Sequence, residues 1–110
     1  MLPKKRCPTH PGVILLKHFL LPMKISQAEF VRHMDGNWTT TKLNEIIRGK
    51  RGISLDTALD FADALGTTAE FWINLQMYHD LWKAQKEHKK IQKIDFSLDD
   101  SDEELRFKNH

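Results

Sequence analysis

The sequence has little of what secreted, membrane-bound and disulfide-stabilised proteins depend on. Cys7 is its one cysteine, so no internal disulfide can form, which fits a reducing cytosol. No apolar run approaches the roughly 18 residues of a membrane-spanning helix, and no basic-then-apolar leader ends in a small-residue cleavage site. We therefore expect a cytoplasmic protein that does not associate with a membrane.

Signs of catalysis and of metal binding are also scarce. The six histidines form no HExxH motif and no pairing with cysteine at ligand spacing, and there is no Gly-rich phosphate-binding loop. His79 stands next to Asp80, but such a pair is more often a satisfied contact on a helix face than an acid–base dyad. The sequence therefore predicts a protein that is not an enzyme and that holds no metal and no cofactor.

What the sequence does contain is a strong charge asymmetry behind its net charge of +2. Residues 1–53 hold ten Lys or Arg against three Asp or Glu, whereas residues 54–110 hold seven against twelve. A basic half suits an anionic partner and an acidic half suits a basic one, although solvated helix faces can produce the same imbalance. The charge pattern therefore fits two partners of opposite charge.

Two helices are predicted before residue 35. In "THPGVILLKHFLLP", Pro11 suits the first helical turn, where its missing N–H would have no partner, and Pro22 is expected to end the helix. In "KISQAEFVRHM", Ser26 and Glu29 can form a capping box, in which each side chain accepts a hydrogen bond from the backbone N–H of the other residue.

A third, more polar helix is predicted from "TTTKLNEIIRGKRG". At 100° per residue, Leu43, Ile46 and Ile47 form its inward stripe, and the opposite face carries hydrogen-bonding and charged side chains. Gly49 is expected to end this helix, and the residues that follow it make a tight basic turn.

Two further helices and a tail complete the prediction. The fourth helix should open at Ser54 and close at Gly66, and the fifth should begin at Thr67 or Thr68. We place the domain boundary near Lys90, which gives a helical domain over 1–90 and an acidic C-terminal tail over 91–110. The expected inner face of the fourth helix comprises Leu55, Ala58, Leu59, Ala62 and Leu65, and a short alternating strand is indicated by Ile94, Phe96 and Leu98.

The second and third helices, with their short connection, predict a helix-turn-helix. The major groove of B-DNA, about 12 Å wide, admits one helix, in which Asn can bond adenine, Glu can accept from cytosine and Arg can fork onto guanine. Basic residues around that helix would neutralise phosphates, and the start of the preceding helix can hold a phosphate. The predicted DNA-binding residues are Gln27, Thr39, Thr40, Thr41, Lys42, Asn44, Glu45, Arg48, Lys50 and Arg51.

Five segments of the sequence resemble HigA-type antitoxins, a branch of the lambda-repressor-like (Xre) helix-turn-helix family. They are "HPGVIL", "SQAEF", "TKLNEIIRGKRGIS", "DTALDFADALGTTAEFWINLQ" and "YHDLW", and together they span roughly residues 8–84. The resemblance implies an all-α, five-helix lambda-repressor-like helix-turn-helix domain, here with a C-terminal extension. It also implies a homodimer that binds operator DNA, represses its own operon and neutralises a RelE/HigB-like ribonuclease toxin.

The turn of the helix-turn-helix departs from the family pattern. Eight residues separate Met34 from Leu43, whereas about six are usual, and Val31 replaces the usual small residue. The longer turn can tilt the third helix, so phosphate contacts are expected more firmly than base contacts. Trp38, inside this turn, could fold inward or touch the sugar–phosphate edge, and its size favours burial.

Acidic residues in the second half of the sequence, and apolar side chains of the fifth helix beyond those that one small core needs, indicate where protein partners would bind. A ribonuclease must attract RNA, so its active surface should be basic and complementary to acidic residues of the second half. The predicted toxin-binding residues are Asp56, Asp60, Asp63, Asp99, Asp100, Asp102, Glu103 and Glu104. The predicted dimer interface consists of Trp72, Leu75, Tyr78 and Trp82, although aromatic residues at helical spacing are more often core.

Three functions fit the sequence. The first is an antitoxin that also represses its own operon, and the second is a free-standing repressor of the same family with no toxin partner. The third is a protein-interaction module whose longer turn has cost it DNA binding. An adjacent gene for a small basic protein would favour the first.

Overall fold

The computed structural model describes residues 6–95, and all regular secondary structure within that range is helical. The first helix consists of three segments that follow one another without a break. They are α1 (Pro11–Ile14), a π-helical segment (Leu15–Leu20) and α2 (Leu21–Met23). If these three segments are counted as one helix, residues 6–95 contain five helices, as predicted.

The end of the first helix differs from the prediction. Pro11 occupies the first helical position as expected, but Pro22 does not end the helix, which continues to Met23. The N–H of Leu21 donates to the carbonyl five residues back, and this wider π turn accommodates a proline that has no N–H to contribute. The helix ends instead at Lys24, in the left-handed conformation with φ 58°.

The helix-turn-helix follows as α3 (Gln27–Met34) and α4 (Thr40–Ile47). The predicted capping box is confirmed, with Ser26 Oγ and the Glu29 carboxylate each accepting a backbone N–H at 3.0 Å. Glu29 accepts best as a carboxylate, so these hydrogen bonds to the backbone and side chain of Ser26 lower the pKa of Glu29. The inward stripe of α4 is also confirmed, because Leu43, Ile46 and Ile47 are all buried.

The last two helices are α5 (Leu55–Leu65) and α6 (Ala69–Glu87). Ser54 and Thr68 cap them by accepting from the third helical N–H, and Gly66 ends α5 with φ 70°, as predicted. Between residues 88 and 95 there is neither helix nor strand. Ile94 is therefore not in a strand, and the remainder of that predicted strand lies outside the described residues.

The core is built around the aromatic side chain of Phe61. Its ring centroid lies 5.1 Å from that of Trp72, 5.4 Å from that of Trp38 and 5.8 Å from that of Phe30. α5 therefore packs Thr57, Ala58 and Phe61 inward. The predicted inner face is wrong at Leu55 and Leu59, which are 67% and 54% exposed. The large ring gains more from burial than either leucine and takes the core-facing position.

No helix between residues 6 and 95 combines the length and the apolar character needed to cross a membrane.

Candidate nucleic-acid interface

Seven of the ten predicted DNA-binding side chains lie together around one open depression. It has a volume of about 500 Å³ and lies between the start of α3 and the outer side of α4. We call its lining the reading face: Gln27, Thr40, Thr41, Asn44, Glu45, Arg48 and Lys50. The buried stripe of α4 fixes this orientation, because the residues on its other side must then face solvent.

Two contacts organise the reading face. Asn44 Nδ2 donates to Gln27 Oε1 at 3.4 Å, which joins the two helices of the motif. Glu45 Oε1 accepts from Arg51 Nε at 3.1 Å and from Arg51 Nη2 at 2.7 Å. Both partners are partly exposed, at 49% and 39%, so the ion pair contributes at most about 1 kcal/mol and a phosphate can compete for the guanidinium.

The basic turn after α4 is a Schellman motif. The N–H of Lys50 donates to the carbonyl of Glu45 at 2.8 Å, and the N–H of Gly49 donates to that of Ile46 at 3.0 Å. Gly49 has φ 75°, a conformation that costs a residue with a Cβ about 1–2 kcal/mol. This turn places Lys50 at the edge of the reading face.

The other three predicted DNA-binding residues do not line the depression. Thr39 is the N-cap of α4, and its Oγ1 accepts the N–H of Lys42 at 3.1 Å. The Lys42 ammonium lies 4.1 Å from the centroid of the Trp38 ring, a cation–π contact that holds it beside the turn. Arg51 lies in the turn after α4 and reaches the reading face through its ion pair with Glu45. These three residues flank the reading face and do not form it.

Trp38 folds inward, which confirms the preferred alternative. The side chain is 8% exposed, stacks on Phe61 and donates from Nε1 to Asp60 Oδ2 at 2.8 Å. Positive φ angles at Asp35 and Gly36 reverse the chain, and the longer turn thereby returns Trp38 to the core. The sequence did not reveal its bond to Asp60, because it joins residues 22 positions apart on different elements.

The backbone of the first helix lies directly against that of α4, the recognition helix of the helix-turn-helix. A Cβ built on Gly12 would be 1.8 Å from the carbonyl oxygen of Ile46 and 2.6 Å from its carbonyl carbon. Only glycine allows this approach, so Gly12 determines how closely α1 and α4 pack. The sequence signal was a glycine near the start of a helix, which the prediction did not use.

The N-terminal segment packs on α6 through two histidines. His10 Nδ1 accepts the N–H of Gly12 at 2.9 Å and so caps α1, and its ring lies edge-on to His79 with centroids 4.9 Å apart. Burial, and then the neighbouring His79, lower the pKa of His10.

The adjacent His79 and Asp80 each have another partner. His79 Nδ1 lies 2.8 Å from the carbonyl oxygen of Pro8, and Asp80 accepts from Gln76 at 2.9 Å. Within residues 6–95, no group of three or more His, Cys, Asp or Glu side chains is arranged to hold a metal ion.

Comparison with known proteins assigns the family. Antitoxin HigA-1 of Vibrio cholerae is 34% identical over 101 residues, which cover 88% of this chain and 93% of that protein. The antitoxin GraA, solved in complex with its operator, is 35% identical with a TM-score of 0.73, over 86% of this chain and 99% of that chain. The HTH-type transcriptional regulator YbaQ of Escherichia coli K12 is 34% identical over 73% of this chain and 69% of its own length. No family model matches the sequence.

The chain belongs to the HigA-type antitoxins. The fold of this family of helix-turn-helix regulators accounts for the all-helical architecture and for the exposed polar side of α4. The chain accordingly belongs with regulators and not with enzymes.

The structure also locates the residues predicted to contact protein partners in this HigA-type chain. Asp56, Asp60 and Asp63 lie on the exposed side of α5, but Asp60 is engaged by Trp38. The predicted acidic residues between 99 and 104 lie outside the described residues. Of the four residues predicted for the dimer interface, Trp72 is wrong, because its side chain is 0% exposed within its own protomer.

Trp72 is buried because it closes the core. It packs against Phe61 and Phe19 and donates from Nε1 to Thr67 Oγ1 at 2.7 Å. Tyr78 is 46% exposed, and Leu75 and Trp82 are partly buried on the same helix. These three residues remain predicted interface residues.

Proposed function

We propose that this protein is the antitoxin of a toxin–antitoxin module, acting in the cytoplasm, and that it represses its own operon by binding operator DNA through the reading face. The observation that carries the DNA half is the convergence of seven predicted side chains around one depression on the helix-turn-helix. The proposal that the protein neutralises a toxin rests on its similarity to HigA-type antitoxins, and the proposed partner is a RelE/HigB-like ribonuclease.

The reading face provides groups for two kinds of contact. Asn44 and Arg48 lie on the solvent side of α4, where an amide can bond adenine and a guanidinium can fork onto guanine. Lys50 at the rim, and Arg51 once released from Glu45, are positioned for phosphates. Gln27, at the first position of α3, supports Asn44 and lies beside the free N–H groups of that helix start. The surface thus combines sequence reading with charge neutralisation.

The proposed DNA-binding unit is a homodimer, because a single short helix is a small contact and two copies can read half-sites about one helical turn apart. A second depression, of about 630 Å³, runs between the start of α5 and the outer side of α6. Its apolar lining includes Leu55, Met77 and Leu81, which are 67%, 49% and 43% exposed. A copy of the same surface would remove this apolar area from water, so we place the dimer contact here, beside Tyr78 and Trp82.

The DNA half is tested by measuring affinity for the promoter of the protein's own operon against salt concentration. The logarithm of affinity should fall with the logarithm of salt by about 0.9 for each phosphate neutralised, and the Lys50→Ala/Arg51→Ala double variant should have a shallower slope on every sequence. Lys89→Ala/Lys90→Ala is the matched control, since it removes the same charge from two exposed residues after the end of α6. Equal slopes for the two double variants would contradict the proposed face.

Base reading by the same face is tested by binding selection. Asn44→Ala and Arg48→Ala should each lose about 1–3 kcal/mol of discrimination at one base pair per half-site while the salt slope changes little for Asn44→Ala. If both variants kept the wild-type sequence preference, the longer turn would have rotated α4 away from the base edges.

A free-standing repressor is the alternative function, and kinship with HTH-type regulators such as YbaQ supports it. The two functions differ in whether a toxin exists. The acidic residues Asp99, Asp100, Asp102, Glu103 and Glu104 enter the antitoxin proposal through their charge alone, as attractants for a basic ribonuclease. An adjacent gene whose small basic product arrests growth, and is neutralised by co-expression of this protein, would decide for the antitoxin.

A further inference from the structure

A third depression lies on the side of α3 that is turned away from the recognition helix. It has a volume of about 330 Å³, and its apolar lining comes from the end of the first helix, the middle of α3 and the end of α5. We call it the α3–α5 pocket, and its apolar residues are Met23, Ile25, Phe30, Ala64 and Leu65. Met23 is 50% exposed, so part of this apolar lining is accessible to a partner.

An acidic depression adjoins this apolar pocket. It is lined by Asp60 and Asp63 and shares His33 and Ala64 with the α3–α5 pocket. Glu29 contributes a third carboxylate from the opposite wall. Among residues 6–95, no lysine or arginine lines either depression. The two depressions form one composite surface, in which the apolar α3–α5 pocket lies beside a negatively charged strip.

We propose that this composite surface is where the cognate ribonuclease toxin docks, with one apolar side chain in the α3–α5 pocket and cationic side chains over Asp60 and Asp63. The proposal rests on the proposed function for the existence of that toxin. A ribonuclease must present a cationic surface to RNA, and the acidic strip is complementary to such a surface. The pocket, near the lower end of the about 300–1,000 Å³ range of ligand sites, fits one or two anchoring side chains rather than a whole helix.

The same charges argue against the other occupants. The carboxylates would repel operator DNA, and the composite surface shares none of its described residues with the reading face. In a two-fold dimer this surface would meet its own copy, which places carboxylates against carboxylates. A basic protein partner remains the occupant that the chemistry favours.

The experiment measures binding of the adjacent operon-encoded basic ribonuclease to three variants of the full-length protein. Ala64→Arg blocks both depressions and adds a cation, in a residue type that helices accept well. Asp63→Lys reverses one exposed charge and leaves the pocket open. Glu87→Lys is the matched control, because it makes the same charge change at the far end of α6, outside every depression described above.

We expect Ala64→Arg to weaken toxin binding at least about tenfold, the effect of losing a contact near the centre of an interface. Asp63→Lys should weaken it about three- to tenfold and reduce its dependence on salt, since fewer opposite charges would meet. Glu87→Lys should bind as the wild type does. Helical content and operator affinity of all three variants should match the wild type, which separates loss of docking from loss of folding.

Three results would overturn the proposal, and they are distinguishable. If the wild type binds the toxin and both pocket variants bind equally well, the docking surface is elsewhere and the proposed function stands. If the wild type does not bind, the toxin half of the proposed function fails together with the docking surface. If Ala64→Arg changes the sedimentation of the free protein, the pocket is a contact between copies of this chain.

Discussion

Replacing Gly12 with alanine should disrupt the packing between the first helix and the recognition helix. The new methyl group would lie 1.8 Å from the carbonyl oxygen of Ile46, whereas contacts below 3.0 Å are essentially never seen, so the helices must separate by at least 1.2 Å. The clashing atoms belong to the α4 backbone and cannot rotate away as the end of a side chain could. We therefore expect a loss near the upper end of overpacking effects, about 3 kcal/mol, which corresponds to a fall in Tm of about 12–24 °C.

Urea and thermal denaturation followed by circular dichroism measure this loss, with Gly36→Ala as the control. Gly36 also has a positive φ, of 70°, but a Cβ there would meet nothing within 4 Å, so only the conformational cost of about 1–2 kcal/mol should be seen. Below its Tm, the Gly12→Ala variant should also bind operator DNA more weakly, because α4 is displaced. If Gly12→Ala proved no less stable than Gly36→Ala, the close approach of α1 to Ile46 would be refuted.

Three further predictions concern the cap, the long turn and the dimer. Because folding lowers the pKa of His10, the stability that His10 contributes should be complete above its unfolded pKa of about 6.5 and should be lost as the pH falls from there towards its folded pKa. Urea titrations at several pH values should show this loss of stability. His10→Asn, a cap that does not titrate, should make the dependence of stability on pH flatter. Trp38→Phe should lose about 1.5–3 kcal/mol in the same assay through its bond to Asp60, and a loss below about 0.5 kcal/mol would mean that this bond does not hold the turn. Leu81→Asp should convert the dimer to monomer in sedimentation at micromolar concentration, whereas a wild type that is already monomeric would contradict the dimer itself.

Neighbouring residues are enough to predict where the helices begin and which side of most of them is buried. Ser26 with Glu29, Ser54 and Thr68 start helices through hydrogen bonds to N–H groups only three positions ahead, so neighbouring residues suffice to predict them. The inward stripe of α4 follows equally from helical spacing, and once that stripe is buried its polar side must face solvent. The reading face was therefore predictable in outline, as was kinship with HigA-type antitoxins from ordered motifs.

Which residues are buried in the core, and which side chains meet across it, depends on how the helices pack against one another. Spacing along α5 could not rank Phe61 above Leu59, because the choice depends on the space left between α3, α6 and the long turn. The bond from Trp38 to Asp60 and the burial of Trp72 have the same origin, since each requires positions distant in sequence to be adjacent in space. The α3–α5 pocket is likewise formed by residues of separate helices, and local periodicity carries no information about how separate helices meet.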